Sequence, residues 1–230
     1  MTSPMNILSH RKQRAFRPEK LSVPRNFYVP DAIKVSAADK NKRSLILEIG
    51  AGKGKHALSF ADQNPNQHLI AIERTRNKFE AFKKLAMQQK LNNLTPIHAD
   101  ALAWIVHAVA PNSVAKIYIL YPNPEQHNPN QQWLNMPFFE FLLSRLQEGG
   151  EIILATNIEA YMNNAEQEAK ETWCLPISRH LVPMHSQRTH FEIKYLARQE
   201  VCWQINMYKP EGYRTRFDTW QMEEIKEPSK

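Results

Sequence analysis

Three of the chain's six glycines fall within five positions, in Glu48-Ile49-Gly50-Ala51-Gly52-Lys53-Gly54-Lys55. Glycines at alternate positions let a backbone turn sharply and approach a ligand with no Cβ in the way. A dinucleotide-binding loop would place its third glycine one residue later, where Lys55 stands. Glu73, 21 residues beyond Gly52, suits a ribose diol in either case. Glu48 precedes the first glycine by two residues, where a dinucleotide site has an apolar residue. A carboxylate there favours a cofactor with a sulfonium and an α-ammonium group and would repel a pyrophosphate. Asp100, in His98-Ala99-Asp100-Ala101, is placed to accept from an adenine amino group. Taken singly, Glu48 also reads as a satisfied buried acid, Glu73 as a helix-entry charge and Asp100 as an N-cap. All three in register with the glycines point to S-adenosylmethionine.

The elements that would carry these residues alternate in type. Apolar runs at Leu45–Ile49, His68–Ile72, Leu94–His98, Lys116–Leu120 and Glu151–Ala155 read as buried strands. Between them the spacing predicts helices over Lys55–Gln63, Thr75–Leu91, about Ala101–Val109, Trp133–Leu146 and Ile158–Glu171. Strands alternating with helices predict an α/β Rossmann-like domain, mostly parallel, with helices on both faces. The glycine loop and the three acids then lie at the carboxyl ends of strands one to three, the edge where such sheets bind ligands. Val201–Tyr208 alternates as a further strand, and Thr189–Arg198 is ambiguous between strand and helical turn. The expected organisation is a basic N-terminal arm over 1–43, a methyltransferase domain over 44–209 and a charged tail over 210–230. The arm, with Arg11, Lys12, Arg14, Arg17, Lys20 and Arg25, is expected to be mobile or loosely docked.

Lys and Arg total 30 against 23 Asp and Glu, a net charge of +7, which biases the chain toward phosphate-rich partners. No apolar run approaches the length of a membrane span, so no membrane association is expected. Cys174 and Cys202 are too few and isolated for a disulfide framework and read as reduced thiols of a cytoplasmic protein. His180, His185 and His190 recur at five-residue steps, which scatters them around a helix, and no acid or Cys cluster joins them, so no metal site is expected. No self-complementary pattern argues for a dimer, and a monomer is expected.

With these residues in hand, the chain resembles the bacterial tRNA (guanine-N7)-methyltransferase family over about 45–208. The matching elements are Leu47-Glu48-Ile49-Gly50, Ile72-Glu73-Arg74, Asp100-Ala101 and the Tyr121-Pro122-Asn123-Pro124 turn. Gly149-Gly150, Ala155-Thr156-Asn157 and Thr189-His190-Phe191-Glu192 follow in the family's order. The resemblance implies that Glu48, Gly50, Gly52, Gly54, Glu73, Arg74, Asp100, Ala101 and Asn123 line the cofactor and reaction site. It places His127, Asn157, Thr189, His190, Phe191 and Glu192 at the target nucleotide and the basic arm on tRNA backbone. Asn123 would stand at the catalytic position.

Two departures from the family pattern bear on the chemistry. The family has Asp in the Pro-Asp-Pro turn and in the Ala-Thr-Asp segment, where this chain has Asn123 and Asn157. The family's turn continues into a Trp and a basic run, whereas Glu125 to Gln132 here contains no Lys or Arg. Asn keeps an acceptor oxygen but loses the charge, and its NH₂ end would oppose a donor if flipped. Two other readings stay open. An Asn-Pro turn also resembles amino-group methyltransferases, although those stack an aromatic residue where Gln126 stands. The two Asn residues and the loop without Lys or Arg also suit a relative that binds S-adenosylmethionine or RNA without turnover. Trp133, Arg74 and Arg188 are further candidates for substrate contact, while Trp203 is expected in the core.

Overall fold

The computed structural model describes residues 14–34 and 43–221; Arg11 and Lys12 of the expected arm, and the tail beyond 221, lie outside the described residues. After a short helix α1 (Asp31–Lys34), the chain runs β1 (Ser44–Ile49), α2 (Lys55–Gln63), β2 (Gln67–Glu73), α3 (Arg76–Gln89) and β3 (Leu94–His98). It continues through α4 (Ala101–Ala108), β4 (Val114–Leu120), α5 (Phe138–Arg145), β5 (Leu146–Thr156) and α6 (Glu159–Glu171). It ends with β6 (Ile177–Leu181), α7 (His190–Ala197) and β7 (Trp203–Tyr208).

These strands form one seven-stranded sheet in the order β3-β2-β1-β4-β5-β7-β6. The first five are parallel, while β7 runs antiparallel between β5 and β6. Five of the six residues in β1, and five of the seven in β2, are buried. Helices therefore cover both faces, which explains runs that are apolar throughout instead of alternating. The sheet is the Rossmann-like arrangement expected, closed by an antiparallel pair.

Three elements differ from expectation, each for a local reason. The stretch 133–146 is not one helix: 3₁₀ turns at Pro129–Gln131 and Trp133–Asn135 precede α5. Pro137 forces Met136 into an extended conformation and breaks the helix there. Strand β5 begins at Leu146, which pairs with Val114, and a register shift before Lys116 absorbs the Gly149-Gly150 turn. Strand β6 is an exposed edge strand whose Arg179 and His180 give no apolar run to read. Thr189–Arg198 resolves as helix α7.

The segments flanking the domain are docked where the structure describes them. Phe16 sits edge-on to Phe138 and Phe141, with ring centroids 5.2 and 5.5 Å away. His107 is 2.9 Å from the Leu21 carbonyl. Beyond Lys209, Tyr213 and Phe217 are buried. Fully buried Arg145 donates to the carbonyls of Val109, Phe217 and Trp220 at 2.9, 2.7 and 3.1 Å. That burial lowers the guanidinium pKa to about 9, and the carbonyls replace the lost water. Glu140, also buried, pairs with Arg216. Through residue 221 the last segment is thus a core strap, held by an Arg and a Glu whose burial could not be read from their type.

Candidate functional site

The glycine loop leaves β1 and is pinned at once to its neighbour: the Gly50 and Ala51 N–H groups both donate to the Ile72 carbonyl, at 2.8 and 3.0 Å. Gly50, Gly52 and Gly54 all take positive φ, at +80°, +59° and +80°. A Cβ on Gly54 would overlap the Phe82 ring, so that glycine serves packing between α2 and α3. At Gly50 and Gly52 a Cβ would meet nothing within 4 Å, so this face of the loop is open space. It opens onto a cleft of about 320 Å³ lined by Glu48, Gly50 to Lys53, Lys55, His56, Lys78, Leu120, Thr189, His190 and Phe191. The cleft lies outside the ends of β1 and β4, where the strand order reverses, the place such sheets bind ligands.

The acids at the strand ends are held differently from one another. Glu48 is 2% exposed and lies 2.9 Å from Nδ1 of His56, itself edge-on to Tyr118 at 4.6 Å. Glu73 accepts from the Gly52 N–H at 2.8 Å through one oxygen and from the Thr75 N–H at 2.6 Å through the other. One hydrogen bond per oxygen leaves acceptor capacity on both. Asp100 caps α4, its Oδ1 accepting from Leu102 and Ala103 at 3.0 and 3.3 Å, and its Oδ2 is 4.0 Å from exposed Arg74. Ala101 opens the same helix. Glu73, Asp100, Ala101 and Arg74 stand at the edge without lining the cleft. An open glycine face flanked by a buried carboxylate at the end of β1 and another at the end of β2 suits a cationic, hydroxyl-bearing ligand. Among the described residues no group of three or more His, Cys, Asp or Glu could hold a metal ion.

On the opposite flank, α7 brings the late motif back to the loop. Thr189 caps α7 by accepting from the Glu192 N–H at 2.9 Å, and His190 and Phe191 reach the cleft exposed. Lys78 stands 6.0 Å over the Phe191 ring. Glu192 turns the other way. It is fully buried and accepts from Tyr121 Oη and Arg188 Nη2, both at 2.7 Å, and from Ser186. Burial pushes its carboxyl up, but the hydrogen bonds from Arg188, Ser186 and Tyr121 outweigh this and hold it below the ordinary value. Glu192 therefore positions the 186–189 loop against β4 and does not face the cleft. Arg188 belongs to the same interior network, reaching Glu192 and Gln204.

Asn123, exposed, donates its Nδ2 to Glu125 at 2.7 Å, and Asn157 donates its Nδ2 to Glu200 at 2.7 Å. Tyr121 and Glu125 bracket the Pro-Asn-Pro turn with left-handed φ of 51° and 47°, a conformation uncommon for non-glycine residues. Asn123 and Asn157 sit at the carboxyl edge without lining the cleft, and His127 is exposed in the turn that follows. Trp133 packs partly buried against Phe138. His56 and Lys78 had no signal in the sequence. They come from the first turns of α2 and α3, whose facing toward the cleft depends on how each helix docks.

Similarity to known proteins agrees with this geometry. A "tRNA (guanine-N(7)-)-methyltransferase" of Shewanella piezotolerans is 29% identical over 58% of this chain and 57% of its own length. A protein of the same description from Cupriavidus pinatubonensis is 30% identical over 62% and 55%. A "Bifunctional methyltransferase" of Rickettsia conorii is 32% identical over 54% of this chain and 24% of its own length. The chain thus spans little more than half the length of the first two relatives and about a quarter of the third. In fold it resembles the 16S rRNA methyltransferase KamB, with a TM-score of 0.61 at 16% identity over 80% of this chain and 96% of that one. Residues 42–205 match the Methyltransf_4 family, described as "Putative methyltransferase". Since that match runs from the start of β1 into the last strand, the chain belongs to this family of S-adenosylmethionine-dependent methyltransferases.

Proposed function

We propose that the protein methylates N7 of a guanine in tRNA. The observation that carries this reading is the shared cleft: the glycine loop and Thr189-His190-Phe191, far apart in sequence, line the same space. In this reading Glu48 faces the ammonium end of the cofactor, steadied by His56, and Glu73 accepts from the ribose hydroxyls while holding Gly52 in place. Bound S-adenosylmethionine supplies a methyl group on a sulfonium, which the lone pair of guanine N7 can take with no prior deprotonation. No general base is then required of the chain. Its residues must align the base, exclude water and support positive charge arriving on the purine, and alignment supplies much of such a rate. Phe191, exposed at the cleft and stacked on Tyr195 with ring centroids 6.1 Å apart, offers a face for a base. Lys53, Lys55 and Lys78 set positive charge around the entrance, where phosphates would approach. Gln126, where an amino-group enzyme would carry a stacking aromatic, favours N7 over an exocyclic amine.

The test is methyl transfer from labelled S-adenosylmethionine to tRNA lacking N7-methylguanosine, followed by nucleoside analysis. N7-methylguanosine above background is the expected product. Label in another nucleoside, or none with cofactor binding intact, would overturn the assignment.

A further inference from the structure

The two asparagines are not isolated amides: each donates its Nδ2 to a glutamate, Asn123 to Glu125 and Asn157 to Glu200, both at 2.7 Å. An ionised carboxylate only accepts, so each amide has a single favourable orientation, with NH₂ toward the glutamate and Oδ1 directed away from it. Neither Oδ1 has a partner among the described residues. We propose, on the basis of the N7-methylation reading above, that Glu125 and Glu200 are positioning residues. They lock Asn123 and Asn157 with Oδ1 presented as acceptors to the N–H groups of the target guanine.

Both pairs stand at the carboxyl edge of the sheet. Strands β4 and β5 are neighbours in parallel register, Leu120 opposite Ala155, and each asparagine follows the carboxyl end of its strand. Glu125 is held by its left-handed backbone, by the Asn128 N–H on its carbonyl at 3.0 Å, and by Gln132 on the Pro124 carbonyl at 3.0 Å. Glu200 is held by its own N–H on the Tyr195 carbonyl at 3.1 Å and by Arg198 at 3.9 Å from its second oxygen. A hydrogen bond to an ionised acceptor is stronger than a neutral one and polarises the donor amide, making its oxygen a better acceptor. The Asn123–Glu125 couple thereby combines an acceptor oxygen with a nearby net charge of −1, the two properties a single aspartate would have supplied, while at Asn157–Glu200 the Arg198 cation offsets part of that charge. The lock also removes the drawback of asparagine, an NH₂ group turned against a donor.

Exchanging the roles within each pair tests this. In Glu125→Gln and Glu200→Gln the amide partner can take either orientation, and kcat/KM for tRNA should fall about 10-fold in each. Asn123→Asp alone sets two carboxylates against each other and should be at least as impaired. The swaps Asn123→Asp/Glu125→Gln and Asn157→Asp/Glu200→Gln restore one carboxylate and one donor per pair, and should recover activity to within about threefold. Affinity for S-adenosylmethionine should stay constant in Glu125→Gln and Glu200→Gln, which separates the effect from a disturbed fold. Gln variants with wild-type kcat/KM, or swaps no better than the single changes, would overturn the inference alone. A wild-type chain that forms no N7-methylguanosine would overturn it together with the proposed function.

Discussion

On the β1–β3 flank of the cleft, Glu73 gives each carboxylate oxygen to one backbone N–H and keeps capacity for a ligand. On the β4–β7 flank, Glu192 is surrounded by Tyr121, Ser186 and Arg188 and has none to offer. The first arrangement fixes the glycine loop through its main chain. The second fastens a long excursion, 182–202, back onto β4 through side chains, so that Thr189, His190 and Phe191 can present themselves to whatever enters. On one flank the carboxylate keeps open acceptor capacity; on the other it is the clasp behind the cleft.

Breaking the clasp should have the larger effect. Glu192 is fully buried, and removing one partner of a buried pair costs about 3–5 kcal/mol. Glu192→Ala should therefore lower folding stability by about 3 kcal/mol in chemical denaturation. The pH dependence has a definite sign. Because the folded carboxyl lies below its ordinary value, its contribution is complete above the unfolded glutamate pKa of about 4.3 and is lost as pH falls through the folded value. Glu192→Gln should lower stability near neutrality and flatten that acid limb. An unchanged limb would mean that other carboxylates dominate acid unfolding.

Glu73→Ala attacks the opposite flank and should register in binding more than in folding. Two backbone N–H groups lose a charged acceptor and the ligand loses its own contact, at about 1.5–3 kcal/mol for a charged hydrogen bond. Calorimetric titration with S-adenosylhomocysteine should show affinity weakened about 100-fold. Equal affinity in wild type and variant would remove Glu73 from the ligand site and leave it as a fastener of Gly52 and Thr75.

The flanks also differ in how much of them is legible from residue order. Glycines after an apolar run, and acids at the ends of the next two runs, are local signals, and the apolar runs themselves locate strands one to five. Asp100 could be read either as an adenine acceptor or as an N-cap; its Oδ1 caps α4. The second flank depends on contacts between distant segments. Glu192 meets Tyr121 across 71 residues and Asn157 meets Glu200 across 43, separations at which no periodicity operates. The same holds for Arg145, whose type suggests the surface and whose partners, Phe217 and Trp220, arrive more than 70 residues later. Motif order could nominate Thr189 to Glu192, but only packing separates the residues that face the cleft from the one that supports them.

His56 provides the finest test of the contrast, because it brings a side-chain fastener into the main-chain flank. It lies beside Glu48 at the cleft wall, packed against Tyr118 and Phe60. If its task is to aim the Glu48 carboxylate, a residue that keeps a donor near the Nδ1 position should suffice. His56→Asn should then bind S-adenosylhomocysteine within about twofold of wild type, while His56→Leu, which leaves Glu48 buried without that partner, should weaken binding about fivefold, or roughly 1 kcal/mol. Equal weakening in both variants would instead assign His56 to packing against the two aromatic rings. The Glu48 carboxylate would then be aimed by the strand end alone, and the β1–β3 flank would be main-chain in design throughout.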